Sequence, residues 1–358
     1  MAKIRIVVVE DSLTARAHLV RTLRSDPDCE VVGEAADGET GIRLCQTLRP
    51  DVMTLDMMLA NGMSGLEVTE HVMAYCPTPI VIVSASFNRG ELVRTFDALA
   101  AGAVEVVEKP TGREERGVWE RNFLHSVKLT ARIKVITHPR LRLRGLRSQE
   151  RSLVASATTS SRPSSAHRYD LIAIGASTGG PGAVVEILRH ALPAPVLLLI
   201  HIGKPFAIGL AEWLARVLPV PVVEAVDGQL LPPPGTSQVI VAAADSHMTV
   251  ADRRLRLSDA PERNSCRPSI DVLFESVASH YGPRAIGCLL TGMGRDGAEG
   301  LLLMRQKGAA TIAQDQSTAV VFGMPKEAIR LGAAQRVLRL PEIGPTLLSL
   351  CRAPRDAV

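Results

Sequence analysis

Aromatic residues make up only 3% of this chain of 358 residues, so its hydrophobic cores must be filled by Leu, Val, Ile and Ala. Cysteine is also sparse, and no C-x-x-C or metal-ligand spacing relates its members. That absence argues against a disulfide framework and predicts reduced, mostly buried thiols of a cytosolic protein. The cysteines concerned are Cys29, Cys45, Cys76, Cys266, Cys288 and Cys351.

The sequence also lacks an apolar run long enough to span a membrane, and its N-terminus begins a strand rather than a signal peptide. We therefore expect a cytoplasmic location and no membrane insertion. With 46% hydrophobic and 22% charged residues, the chain can bury two cores of ordinary size.

Four apolar segments in the N-terminal third each end in a polar residue, and helical patterns separate them. This alternation predicts a parallel sheet covered on both faces, with ligands at the carboxyl edge of its strands. Carboxylates at that edge suit Mg²⁺, and a Lys and a hydroxyl suit a phosphoryl group. The alternative is a solvated acidic edge without a ligand. The residues at the four strand ends are Glu10 with Asp11, Asp56, Ser84 and Lys109.

A second strand-turn-helix pattern begins at Tyr169, where LIAIG leads into a glycine-flanked turn that carries Ser177. A Ser at such a turn is exposed beside backbone N–H groups, as a nucleophile beside an oxyanion site requires. Glycine-rich turns before helices also bind phosphate, so this segment alone leaves both interpretations open.

Two later strands of the same predicted sheet end close to chemistry-bearing residues. VLLLIHIG delivers His201, and the turn after IGCLL carries Asp296. A Ser–His–Asp relay needs this convergence, because the His accepts the Ser proton while the Asp holds the His tautomer. Taken singly, the three residues could instead be a turn Ser, a core His and a capping Asp.

A basic stretch lies between the two patterns. From position 137 to 168 the sequence carries seven Arg residues against one acid, Glu150, and few large apolar residues. Such a stretch cannot form a core and is predicted to be a solvated linker. Contact with an acidic partner is the alternative, but no aromatic residue interleaves with the arginines, and we expect no nucleic-acid binding.

On these residues, the N-terminal region resembles a response-regulator receiver domain. The resemblance implies that Asp56 is the phospho-acceptor, that Glu10, Asp11 and Asp56 hold Mg²⁺, and that Ser84 and Lys109 form the switch. Two departures concern the output signal. Leu59-Ala60 replaces the usual Met-Pro, and Gly65 comes nine residues after Asp56 in place of the usual eight, so the loop is one residue longer. In addition, Val106 replaces an aromatic switch residue.

The C-terminal region resembles the catalytic domain of the CheB chemotaxis methylesterases through five motifs in order. The resemblance implies Ser177 as nucleophile, His201 as base and Asp296 as orienting acid, with Thr178 and the backbone of Met293 supporting the oxyanion. One departure is Ile200-His201-Ile202 in place of Gln-His-Met. The motifs are IGASTGG, the strand ending in His201, CRPSIDVLFESVA, TGMGRDGAEGL and AQDQSTAVVFGMPKEAI.

Together these resemblances imply a two-domain α/β protein: a flavodoxin-like receiver (1–127), a basic linker (128–167) and a Rossmann-like catalytic domain (168–358), both domains having doubly wound parallel sheets. The implied activity is phosphorylation-regulated hydrolysis of glutamate γ-methyl esters on chemoreceptors, with deamidation of receptor glutamines as a second activity. The implied partners are methylated receptor segments and a histidine kinase, and ester hydrolysis requires no cofactor.

Two other functions stay open on the sequence. One is a receiver joined to a nucleotide-binding module, which GASTGG fits poorly because it is not G-x-G-x-x-G. The other is a receiver with a non-catalytic, protein-binding output domain that has kept the hydrolase shape.

Overall fold

The structure is a computed structural model that describes residues 2–60, 62–85, 89–110, 112, 115, 117–133 and 169–352. Most of the predicted linker, 128–167, lies outside the described residues. The helix that precedes these positions ends at Thr130. Within the described ranges no helix is long and apolar enough to cross a membrane.

The N-terminal domain alternates strands and helices, as the apolar segments predict. Its elements are β1 (Ile4–Val9), α1 (Leu13–Arg24), β2 (Cys29–Ala35), α2 (Gly38–Leu48), β3 (Val52–Asp56), α3 (Gly65–Tyr75), β4 (Ile80–Ser84), α4 (Arg89–Ala101), β5 (Glu105–Glu108) and α5 (Val118–Thr130).

The five strands of this domain form one parallel sheet in the order β2-β1-β3-β4-β5. Alternate residues of β1 enter different cores, Val7 and Val9 on one face and Ile6 and Val8 on the other. Both faces of the sheet are therefore covered. The chain leaves β1 in one direction to β2 and in the other to β3, so the topological switch point lies beside the carboxyl ends of β1 and β3.

The C-terminal domain is larger and also alternates. Its elements are β6 (Leu171–Ala176), α6 (Gly180–Leu188), β7 (Pro195–Ile200), α7 (Lys204–Val217), β8 (Val222–Glu224), β9 (Gln238–Val241), β10 (His247–Ala251), β11 (Arg254–Ser258), α8 (Ile270–Tyr281), a 3₁₀ turn (Gly282–Arg284), β12 (Ala285–Leu289), α9 (Ala298–Gln306), β13 (Ala310–Gln314), α10 (Met324–Arg330), β14 (Arg336–Leu338) and α11 (Leu340–Arg352).

Seven strands of this domain form a parallel sheet in the order β14-β13-β12-β6-β7-β9-β8, and β10 and β11 form a separate antiparallel hairpin. The predicted fold, two doubly wound parallel-sheet domains, is confirmed. The central strand β6 lies between β12 and β7, so the switch point of this sheet lies at the carboxyl end of β6.

The two domains share one apolar core, which includes residues of α4 and of α6 and α7. Phe96 of α4 stacks on Trp213 of α7, with ring centroids 5.2 Å apart. The indole N–H of Trp213 donates a hydrogen bond of 2.7 Å to Asp97. Trp213 is fully buried in this contact, so the N-terminal domain packs directly on the C-terminal domain.

Candidate active site

Ser177 lies at the topological switch point of the larger sheet, one residue beyond β6. All six residues of β6 are buried, which fixes the point where the chain leaves the sheet. The turn then closes tightly, with the N–H of Gly180 donating to the Ser177 carbonyl at 2.7 Å. Gly179 has φ +78, and a Cβ there would lie 2.6 Å from that of Val320. The turn therefore requires glycine at this position.

His201 follows the neighbouring strand β7. Ala176 and Ile200 are paired in register, so Ser177 and His201 leave the sheet side by side. The N–H of His201 donates to the carbonyl of Ala176 at 2.9 Å, which ties the two strand ends together. Their neighbouring positions result from the strand order and not from proximity in the sequence.

Asp296 reaches the same point from the turn after β12. Its Oδ2 lies 2.9 Å from His201 Nε2, and the residue is only 3% exposed. The carboxylate also accepts hydrogen bonds from Ser269 Oγ and the Ile270 N–H, both at 2.7 Å, and from Asn264 Nδ2 at 3.1 Å. Although burial alone would raise the pKa of Asp296, His201 and these donors hold it well below its usual range.

The other nitrogen of His201, Nδ1, faces Cys266, whose Sγ lies 3.9 Å away. Burial alone would lower the pKa of His201, but Asp296 and Cys266 together raise it to about 9. In this arrangement the acid occupies Nε2, and Nδ1 is the nitrogen left to accept a proton. Among the described residues, the structure shows no hydrogen bond between Ser177 and His201, although catalytic contacts are commonly loose without substrate.

Thr178 and Met293 lie in a cleft of 780 Å³ between the two domains. The Thr178 hydroxyl donates a hydrogen bond of 2.7 Å to Glu105 Oε2, across the domain boundary. Met293 is 44% exposed there. Residues of both domains line the cleft: Glu105, Ser126, Leu129, Thr130, Arg132 and Ile133 on one side, and Thr178, Met293, Asp315, Gln316, Ser317, Ala319, Val320, Val321 and Phe322 on the other.

Gly292, beside Met293, packs against the turn that carries Ser177. A Cβ at position 292 would lie 2.8 Å from that of Ser177, which is closer than real Cβ contacts. The N–H of Ser177 meanwhile donates to the carbonyl of Thr291 at 3.0 Å. The TGMG segment and the Ser177 turn are thus in direct contact, and the backbone of Met293 follows immediately.

A second cluster lies at the switch point of the smaller sheet. Oxygen atoms of Glu10, Asp11 and Asp56 lie within 4.8 Å of one another. Lys109 Nζ lies 2.7 Å from Asp56 Oδ2 and 3.0 Å from Glu10 Oε1. Burial and the neighbouring Asp56 raise the pKa of Glu10 to about 7, although Lys109 opposes that shift. Burial would lower the pKa of Lys109, but the two carboxylates raise it overall.

Ser84 is buried at the end of β4, and its hydroxyl points toward α4. It donates a hydrogen bond of 2.6 Å to Glu91 Oε1 and lies 3.3 Å from Thr95 Oγ1. In the loop after Asp56, the Met58 N–H donates to Asp56 Oδ1 at 3.2 Å and the Ala60 N–H donates to Asp11 Oδ2 at 2.9 Å. Gly65 packs tightly behind it, because a Cβ there would lie 2.8 Å from the Cα of Met57.

Sequence reasoning assigned no role to four residues of these sites: Cys266, Asn264, Ser269 and Glu105. The CRPSIDVLFESVA motif contains Cys266 and Ser269, and Asn264 lies just before it. This motif is the feature of the sequence that could have identified all three residues. Nothing in the sequence pointed to Glu105, because its partner belongs to the other domain. The prediction of reduced, mostly buried thiols agrees with the structure, in which all six cysteines are free and Cys266 alone is not fully buried.

Comparisons with known proteins identify both domains of the chain. The family model for CheB methylesterase matches residues 172–347, and that for the response regulator receiver domain matches residues 6–116. Protein-glutamate methylesterase/protein-glutamine glutaminase 2 of Anaeromyxobacter dehalogenans is 39% identical over 98% of this chain and 97% of its own. The protein of the same function name from Nitrosospira multiformis is 41% identical over 97% of each chain.

Among solved structures, the CheB methylesterase catalytic domain of Thermotoga maritima is 33% identical. It covers 51% of this chain and 98% of its own, with a TM-score of 0.48. Because the relatives match nearly end to end and both family models fall on the two domains, this chain belongs to the CheB family of receiver-linked protein-glutamate methylesterases.

Proposed function

We propose that this protein hydrolyses glutamate γ-methyl esters on the cytoplasmic segments of methyl-accepting chemotaxis receptors. Deamidation of receptor glutamines is its second activity, as the names of its relatives suggest. One observation carries the proposal: the His201 ring, held by Asp296 at 2.9 Å, follows the strand beside the one that ends at Ser177. The proposed site of action is the cytoplasm, where these receptor segments lie.

In the proposed reaction Ser177 Oγ attacks the ester carbonyl and His201 accepts its proton at Nδ1. Asp296, which accepts hydrogen bonds from Asn264, Ser269 and the backbone of Ile270 and Asp271, keeps the ring oriented and stabilises the imidazolium that forms. The backbone N–H groups near Thr178 and Met293 are placed in the proposal as donors to the oxyanion. Protonated His201 then releases methanol, and a water activated by the same ring frees the glutamate. With a glutamine substrate the first product is ammonia.

The proposal assigns the acid cluster of the N-terminal domain to phosphorylation of Asp56 by a histidine kinase. Three carboxylates with oxygen atoms this close suit a hard divalent cation, and Glu10, Asp11 and Asp56 would hold Mg²⁺. When bound, Mg²⁺ supplies positive charge beside the incoming phosphoryl group. Lys109 adds its own charge at Asp56, and Ser84 is the hydroxyl that must leave Glu91 to reach the phosphoryl oxygens.

Control of the site is proposed to be steric. In the described arrangement, Glu105 of β5 bonds to Thr178, next to the nucleophile, and α4 packs on α7. A receptor helix cannot approach the Ser177 turn while these contacts persist. Phosphorylation activates the enzyme to the extent that it stabilises the separated domains over the packed ones.

Methanol release from a purified methylated receptor fragment tests this function. The full-length chain should release methanol, and a small-molecule phosphodonor with Mg²⁺ should increase the rate. Ser177→Ala serves as the matched control. Equal release by the wild type and Ser177→Ala, or none from the wild type in the presence of the phosphodonor, would reject the proposal.

A further inference from the structure

Cys266 differs from the other cysteines of the chain in its surroundings. Cys29, Cys45, Cys76, Cys288 and Cys351 are buried among apolar residues, and burial raises the pKa of each thiol. Cys266 is partly exposed and lies beside the imidazole of His201. Reciprocal backbone hydrogen bonds between Arg263 and Cys266, at 3.1 and 3.0 Å, fix the loop that carries it.

The distance between the two side chains matches a shared metal ion. In tetrahedral zinc sites, bonds of about 2.0 Å to His nitrogen and about 2.3 Å to Cys sulfur place these two ligand atoms roughly 3.5 Å apart. The observed separation of Cys266 Sγ and His201 Nδ1 is 3.9 Å. A small rotation of one side chain can shorten this separation by a few tenths of an ångström, so that Sγ and Nδ1 can both bond to the same metal ion.

The opposite edge of the His201 ring supplies an independent argument. Metal-binding histidines usually present their second nitrogen to a carboxylate, which fixes the ring and increases the basicity of the ligating nitrogen. Asp296 occupies that position at Nε2, and Ser269 and Ile270 hold it in turn. Nδ1 is thereby directed at Cys266. Ligand atoms from all three side chains lie within 4.8 Å of one another.

We propose that His201 Nδ1 and Cys266 Sγ bind a thiophilic divalent cation of the Zn²⁺ class, with Asp296 orienting the ring and water completing the coordination. Binding forms one metal–nitrogen and one metal–sulfur bond, and the protons of the thiol and of any imidazolium pass to solvent. The acid cluster of the other domain offers oxygen ligands alone and suits Mg²⁺. Within the described residues, the proposal therefore gives two cation sites that differ in the softness of their ligands.

The consequence of binding is inhibition of hydrolysis. A cation on Nδ1 occupies the lone pair that would accept the Ser177 proton. This consequence depends on the function proposed above, whereas binding of the cation does not. Zinc would act on the catalytic half directly, without involving the receiver or its phosphorylation.

Absorption spectroscopy with Co²⁺ as the probe tests binding without any assay of activity. The full-length protein is titrated in excess Mg²⁺, which fills the acid cluster. We expect one equivalent of Co²⁺ to produce a sulfur-to-cobalt charge-transfer band, which Zn²⁺ removes by displacement. Cys266→Ser should lose the band, while Cys76→Ser, at a buried thiol, should retain it. Absence of the band in the wild type, or its persistence in Cys266→Ser, overturns the proposal.

Cys266→Ala is a second variant in case the Ser variant does not fold, and circular dichroism checks both. Methanol release then separates the two proposals. Loss of the sulfur ligand should raise the Zn²⁺ concentration for half-inhibition at least about tenfold relative to the wild type. Hydrolysis without a cobalt band refutes the cation site alone. A cobalt band without hydrolysis refutes the proposed function alone.

Discussion

The Thr178 hydroxyl donates a 2.7 Å hydrogen bond to the carboxylate of Glu105, and the two residues belong to different domains. Thr178 adjoins the proposed nucleophile, and Glu105 begins the strand that leads to Lys109. Burial raises the pKa of Glu105, although the Thr178 hydroxyl and the N–H of Val106 lower it in part. One side chain thus connects the strand that leads to Lys109 with the turn that carries Ser177.

Glu105→Ala should therefore raise the activity of the unphosphorylated protein. A single buried hydrogen bond contributes about 0.5–1.5 kcal/mol, so the rate on a receptor fragment should rise by roughly two- to tenfold. A small soluble ester should show a smaller increase, because it can enter a partly covered site. Glu30→Ala, at the exposed opposite edge of the same sheet, is the control. Methanol release gives the comparison, and an unchanged rate on the receptor fragment would remove Glu105 from the regulation.

Substitutions at the three proposed catalytic residues should separate chemistry from folding. We expect Ser177→Ala and His201→Ala each to reduce hydrolysis by several orders of magnitude, because such residues act as a unit. Asp296→Asn should reduce the rate of hydrolysis by a smaller factor, on the order of 10⁴-fold by the precedent of serine proteases. Asp296 also accepts bonds from Ser269 and Ile270, so thermal unfolding must be measured for that variant. Near-normal turnover in Ser177→Ala would contradict the assignment of Ser177 as nucleophile and favour the nucleotide-binding alternative.

Phosphorylation should depend on both Asp56 and a divalent cation. Asp56→Asn should abolish the acid-labile phosphate, and a chelator should do the same to the wild type, because three adjacent carboxylates repel a phosphoryl donor. Radiolabelled transfer from the kinase measures both effects. Asp51→Asn, at the exposed start of the same strand, should be phosphorylated normally. Label on Asp11 in place of Asp56 would contradict the assignment.

Hydrolysis should increase with pH in the alkaline range. The pKa of His201 is raised to about 9, so at neutral pH most rings carry a proton and cannot act as base. The rate should rise toward pH 9 and then level off. Cys266→Ala removes one of the groups that raise the pKa of His201, so the hydrolysis rate of this variant should rise at a lower pH than that of the wild type. Rate profiles on a small ester, recorded with a chelator present, test this. If the rates of the wild type and the variant rise over the same pH range, the thiol does not influence the pKa of His201.

Much of this architecture could be predicted from local sequence, because buried parallel strands appear as continuous apolar runs. The predicted strand ends agree with the structure. For example, Asp56 is the last residue of β3, and His201 directly follows β7, which ends at Ile200. Strand β2 was not predicted, since two acids and Gly33 interrupt its apolar pattern. The hairpin of β10 and β11 was also not predicted, because it alternates polar and apolar residues outside the main sheet.

The contact between His201 and Asp296 follows from the predicted strand order, but other contacts between distant segments could not be predicted. The 3.9 Å approach of Cys266 to His201 joins residues 65 positions apart, and the cysteine spacing gives no sign of it. The hydrogen bond from Ser84 to Glu91 likewise depends on side-chain rotation, which the sequence pattern does not determine. Strand order places residues at one edge of a sheet, but it does not determine which atoms face one another.

The stacking of Phe96 on Trp213 gives the protein its own optical reporter. The sequence has two tryptophans, and the other, Trp119, lies within the N-terminal domain against Phe123. When the domains separate, Trp213 loses its aromatic neighbour and its bond to Asp97 and meets water, so its emission should shift to longer wavelength. In a Trp119→Phe background, fluorescence would follow domain opening in real time, without a label and independently of catalysis.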